Sequence, residues 1–304
     1  MTLVIEQLLN GLQFGVMLFL MAAGLTLIFG IMGVINLAHG SLYMIGAYGG
    51  ALAAAHTGSA ILAIAIGLLA SAITGMVMEV LVLRRLYARN HLDQVLATFA
   101  LILTFNQTLT LAFGRQPLFV SIPTALAGTI ELAPGLPYPI YRLAIIAVGL
   151  LVAVGLYLLI NRTRIGMLVR AGSTDRDMVR ALGVDIRMLY TIVFGLGALL
   201  AGLAGLMAGP ILAVQVGMGE QILIMTFVVV VIGGVGSVKG AFLGALLVGL
   251  VDTALRAFLP TLLRQAMAAS EADALGAGLS SMGIYLLMAV VLLVRPHGLF
   301  PTHG

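Results

Sequence analysis

The sequence predicts an all-α protein: a polytopic transmembrane helical bundle of eight or nine spans, with broken or re-entrant segments among them. Three observations carry this. Of 304 residues, 62% are hydrophobic and 9% charged, at a mean hydropathy of +1.18. A soluble domain is charged at about a quarter of its positions, which its water-facing surface requires. Second, the long runs are apolar on both sequence parities. A membrane β-barrel alternates polar and apolar residues, whereas a helix satisfies its own backbone where lipid offers no partner. Third, the 38 glycines suit close approach of membrane helices.

Apolar stretches run at roughly 8–30, 42–57, 60–83, 92–113, 141–160, 188–213, 221–236, 240–260 and 279–295. About 20 apolar residues cross a bilayer. The stretches 42–57 and 221–236 are short, so they read as half-helices or re-entrant segments. The start, Met1-Thr2-Leu3-Val4-Ile5-Glu6, has no basic region, so the first stretch is expected to remain as a membrane helix. Residues 1–304 read as one membrane domain.

Basic residues orient the bundle. Arg84, Arg85 and Arg89 share one loop. Arg162, Arg164, Arg170, Arg176, Arg180 and Arg187 share another, and Arg295 closes the last stretch. Placing all three regions in the cytoplasm is self-consistent under the positive-inside bias. The net charge of +4 then reflects topology rather than nucleic-acid binding. The loop 114–140, with Pro117, Pro123, Pro134, Pro137 and Pro139, faces outside, as does 261–278. Nine crossings put the N-terminus outside.

The loop 161–187 is the most informative. Ser173 or Thr174 reads as the cap of a short helix, with Asp175 and Asp177 in its first turn. Met178, Val179 and Leu182 fall near one face, Arg170 and Arg180 flank it, and Gly183 ends it. Such a helix suits docking into a groove on another protein or lying among lipid headgroups, and the pattern leaves both open.

Two interruptions break apolar sequence. Gly33-Val-Ile-Asn36-Leu-Ala-His39-Gly40-Ser41 continues through Tyr43 to Gly46-Ala47-Tyr48. Gly233-Gly234-Val-Gly236-Ser237-Val-Lys239-Gly240 leads to Gly244-Ala245. Paired Gly-broken segments in two halves point to a translocation region, with Asn36, His39, Gly40, Ser41, Gly234 and Ser237 as pathway candidates. A turn between two helices accounts for either segment equally well. Ala198, Gly202, Gly205 and Gly209, Gly46 and Gly50, and Gly240 and Gly244 have helix-packing spacing. Asp252 and Arg256, at i and i+4, read as a structural pair, with a proton relay as the alternative. Glu79 reads as a partner for Arg84 and Arg85.

The sequence has no Cys, and its histidines at 39, 56, 91, 297 and 303 lack metal-ligand spacing. The one Lys, Lys239, is in no Gly-x-x-x-x-Gly-Lys-Ser/Thr loop. No cofactor is therefore expected on this chain, and ATP that drives transport belongs on another subunit. No nucleophile elbow marks an enzyme.

Four segments carry a family resemblance. Gly33–Tyr48 resembles the N-terminal signature of LivH-type permeases, the membrane subunits of branched-chain amino acid ABC importers. Arg170-Ala171 through Ala181-Leu182-Gly183-Val184 resembles their coupling segment. Val231-Ile232-Gly233-Gly234-Val235-Gly236-Ser237 and Arg295-Pro296-His297-Gly298-Leu299-Phe300 match as well, in the family's order. His297 departs from the pattern, as does the lack of the acidic residue that opens the coupling motif of other importers. The resemblance implies translocation of branched-chain amino acids or related small solutes across the bacterial inner membrane. Urea, amides or other amino acids are alternatives within the family. It implies a LivM-like permease partner, two cytoplasmic ATPases carrying ATP and Mg, and a periplasmic binding protein. Arg170, Thr174, Asp175, Met178, Val179, Arg180, Leu182 and Gly183 are then the ATPase-coupling residues. A stand-alone secondary transporter or channel is the rival outside the family.

Overall fold

The computed structural model describes residues 2–300, with backbone alone at 176 and 177; His303 lies outside them. Eleven helices follow in order: α1 Thr2–Met32, α2 His39–Thr57, α3 Ala60–Leu81, α4 His91–Phe113, α5 Ile140–Arg162, α6 Arg164–Thr174, α7 Arg176–Ala181, α8 Ile186–Ala208, α9 Met218–Gly233, α10 Val238–Leu263 and α11 Ala269–Val294. Seven are long and apolar enough to cross a membrane: α1, α3, α4, α5, α8, α10 and α11. The two short stretches are the shorter helices α2 and α9. Among the described residues, β-structure is confined to an isolated bridge between Leu118 and Val214 and a hairpin of β1 Thr129–Ala133 and β2 Leu136–Pro139 in the proline-rich loop. Proline there excludes helix.

α1 and α8 form the centre. Of their most apolar windows 83% and 61% of residues are buried, against 11% for α4. Glycine decides how closely they pack. A Cβ on Gly15 would meet the Ala245 backbone of α10, and one on Gly46 would meet Gly202 of α8 at 2.4 Å. Neither leaves room for a side chain, as the small-residue spacing predicts.

The tips of α3, α5 and α11, the starts of α4, α8 and α10, and all of α6 and α7 carry most of the basic residues, so this is the arginine end. α1 runs toward it, and Gly30 packs there against Gly236. The chain then turns back through residues 33–38. α2 starts beside Gly24, where a Cβ would lie 3.0 Å from the His39 ring. Gly24 is eight residues short of the end of α1, so α2 begins about 12 Å inside the bundle. From there it runs to the far end and stops at Gly58, whose φ of +64° favours a residue without Cβ.

α8 through α11 repeat this course in the opposite sense. α8 runs to the far end, residues 209–217 turn back, and α9 begins inside the bundle and runs to the arginine end. The starts of α2 and α9 touch, and a Cβ on Gly40 would lie 2.3 Å from the Gly219 carbonyl oxygen. Ser59 caps α3 and Ser237 caps α10, each accepting from a backbone N–H three residues on. α1–α4 and α8–α11 thus form an inverted repeat. This corrects the expected internal match. The counterpart of 33–38 is 209–217, and 233–240 is the turn that corresponds to 57–60. Both segments are Gly-broken, but for different reasons: Gly40 meets Gly219 where two helices start inside the bundle, whereas Gly234 and Gly236 take positive φ in a tight turn and Gly240 packs against Gly233.

Candidate functional site

Beyond α5 at the arginine end, Thr163 caps α6 by accepting from Gly166 N–H at 3.1 Å, and Arg170 donates to the Ile160 carbonyl at the open end of α5. Ser173 and Thr174 do not cap α7. Both hydroxyls donate back to the Arg170 carbonyl, closing α6. The cap is Asp175, which accepts from Met178 N–H at 2.9 Å; the Asp177 side chain is outside the described part. Gly183, at φ +83°, ends α7, with its N–H donating to the Arg180 carbonyl at 3.0 Å.

The expected apolar face of α7 divides. Val179 is 4% exposed and joins the core, whereas Met178 and Leu182 are 60% and 76% exposed. One turn apart, the latter two point away from the bundle, with Arg180 exposed between them. The shared-face reading fails because a six-residue helix lying on a protein surface has one inward residue per turn, and here it is the β-branched one. The outward side is an apolar pair with the exposed Arg180 between its members, outside every candidate span.

α7 connects through α8 to a buried carboxylate. Glu79, fully buried on α3, pairs with Arg84 at 2.9 Å. It also accepts from the Tyr87 hydroxyl at 2.6 Å and the Thr191 hydroxyl at 2.7 Å. Arg84 donates to Thr191 as well. Burial, and then the bond to Glu79, push the Tyr87 phenol well above its ordinary pKa. The expected local pair is thus a hub that ties α3 to the first turns of α8. Arg85 makes no ion pair with Glu79.

The pathway candidates separate into two places. Asn36 and His39 are fully buried, Ser41 nearly so, and Asn36 accepts from Ala38 N–H at 3.0 Å to shape the turn into α2. Gly40 forms the contact with Gly219. Gly234 and Ser237 lie at the other end of α9, about 21 Å away at the rise of a helix. Gly234 packs on Gly298, and the Leu299 and Phe300 N–H groups donate to the Ile232 and Gly233 carbonyls. Two of the sequence motifs therefore meet, the C-terminal one capping α9. Asp252 and Arg256 pair at 2.8 Å on α10, as their spacing implies.

Sequence reasoning missed a polar stripe on α4. Thr104, Gln107 and Thr108 are all exposed on this span. The threonines donate to backbone carbonyls one turn back. An exposed amide such as that of Gln107 is costly against lipid, so this face calls for a protein or aqueous neighbour. The signal was present as polar residues at i, i+3 and i+4 within the run 92–113.

The sequence model of a family described as branched-chain amino acid transport system / permease component matches residues 7–294. The high-affinity branched-chain amino acid transport system permease protein BraD of Pseudomonas aeruginosa is 29% identical, over 97% of this chain and 95% of its own. The corresponding LivH protein of Salmonella typhimurium is 26% identical over 97% and 94%. The fructose import permease protein FrcC of Rhizobium meliloti is 31% identical over 38% of this chain and 34% of its own. No solved structure matches the chain.

Proposed function

Because the chain belongs to the family of branched-chain amino acid transport permease components, we propose that it carries branched-chain amino acids through the bacterial inner membrane, in a pathway shared with a LivM-like permease. It is a multi-pass importer subunit and not an enzyme. Two cytoplasmic ATPases, holding ATP and Mg, dock on α7, and a periplasmic binding protein delivers the solute at the far end. The full-length likeness to BraD and LivH supports this solute class over sugars, since the FrcC likeness covers little more than a third of the chain.

The observation that carries the ATPase assignment is the exposed pair Met178 and Leu182, outside the spans on the helix that directly precedes α8, whose first turns bind the hub at Glu79 through Thr191. Closure of the ATPases would move α7, and the Glu79–Arg84–Thr191 hub would pass that movement from α8 to α3. The α4 stripe of Thr104, Gln107 and Thr108 faces the second permease and lines the pathway. Asn36, His39, Gly40 and Ser41 set the joint at which α2 and α9 can shift, and Gly234 and Ser237 hold the turn that follows.

A cysteine placed at Leu182, in a chain that has none of its own, should form a cross-link to the ATPase subunit in the assembled importer. Cross-linking that reaches lipid reagents alone would overturn the docking assignment.

A further inference from the structure

A cavity of about 930 Å³ opens on the side of the bundle between α1, α5, α6 and the start of α10. Its walls and its rim differ in chemistry. Phe19, Leu150, Val154 and Leu243 form an apolar interior, and the last three are 42%, 58% and 43% exposed. The cavity therefore opens laterally, toward what surrounds the bundle. The rim at the arginine end carries Lys239 and Arg170 with the hydroxyls of Ser173 and Thr174, and among the described residues no acidic side chain lines the cavity. Lys239 lies 5.8 Å from the centre of the Tyr157 ring, which holds the ammonium at the mouth.

Depth identifies the occupant. Along α1 the lining runs from Phe19 to Ile31, twelve residues and so about 18 Å. One leaflet is half of a hydrocarbon core of about 30 Å. The groove is thus close to one leaflet deep, apolar at the bilayer centre and cationic at the end that the arginines mark as cytoplasmic. We propose that it binds one anionic phospholipid of the cytoplasmic leaflet, with its phosphate at Lys239 and Arg170 and an acyl chain along α1 and α5. The headgroup would then touch α6, immediately before the docking helix α7, and the acyl chain would touch the central helix α1.

The test uses the full-length chain in detergent, with phosphatidylglycerol or phosphatidylcholine added and binding read by native mass spectrometry. Phosphatidylglycerol should bind in preference. Lys239→Gln should cut that preference about fivefold, the worth of one cation near an anionic headgroup, and Lys239→Arg should retain it. Leu243→Trp, which fills the apolar wall and leaves the cations, should lower the occupancy of both lipids. Equal binding of the two lipids, or an unchanged preference in Lys239→Gln, would overturn the proposal. So would glycerol phosphate displacing the lipid at matched concentration, which marks a site for the phosphate alone. A photo-reactive group at Tyr157 that captures a protein subunit in the assembled importer, and no lipid, would identify the face as a subunit interface and also overturn it.

Discussion

Replacing Met178 and Leu182 together by alanine isolates the contact that α7 offers to a partner. Alanine favours helix, and Asp175 and Gly183 still bound the segment, so its backbone should persist. The two side chains are 60% and 76% exposed, so their removal leaves no cavity in the bundle. Burying such a side chain in full is worth about 1.5–3 kcal/mol. Covering the fraction open here gives about 1–2 kcal/mol each, or about 2–4 kcal/mol for the pair. ATPase affinity should fall about 30- to 700-fold at 1.4 kcal/mol per decade. The assay is titration of purified ATPase onto nanodisc-held permease, with permease thermal stability as the control. Val179→Ala should behave in the opposite way, costing about 1.5 kcal/mol of stability through loss of a core contact. If the double variant binds the ATPase with unchanged affinity, α7 is not the docking element.

Gly40→Ala should destabilise the bundle by about 1–3 kcal/mol through overpacking, because the added Cβ would lie 2.3 Å from the Gly219 carbonyl oxygen. A lowered thermal midpoint in detergent would show it, and an unchanged midpoint would refute the contact. Glu79→Ala should cost about 1–3 kcal/mol by leaving the Tyr87 hydroxyl without its acceptor and Arg84 without its carboxylate, whereas Thr191 keeps the Arg187 carbonyl; Glu79→Gln, which keeps an acceptor, should cost less. Both are read as thermal midpoints, with ATPase binding unchanged and uptake reduced. Gln107→Leu should leave stability unchanged and lower solute uptake about tenfold if that amide supplies one hydrogen bond along the path; full uptake would remove α4 from the pathway.

The bundle was legible because it is written in composition and in the length of apolar runs, quantities that local sequence carries. The two short stretches were recognisable as incomplete spans for the same reason. The inverted repeat was not, because it is a relation between backbones. Gly40 touches Gly219, which lies in a segment without any basic residue to mark it, while Lys239-Gly240 imitated the His39-Gly40 step in a plain turn. On α7, helical spacing placed Met178, Val179 and Leu182 near one face, but spacing alone does not say which of them the bundle covers. The role of Asp175 was open to Ser173 and Thr174 as well, since all three residue types cap helices and the choice depends on where α6 ends. Glu79 and Arg84 were paired correctly from proximity. The hydroxyl of Thr191, more than a hundred residues away, could not be.

This chain should translocate solute only when an ATPase drives it. Uptake into proteoliposomes holding this permease, its partner permease, the ATPases and the binding protein measures it directly. Uptake of branched-chain amino acid should require ATP and should fall sharply in the Met178→Ala, Leu182→Ala double variant at ATPase concentrations that saturate the parent permease. Equal uptake by this chain alone under an ion gradient, without ATP, would contradict it.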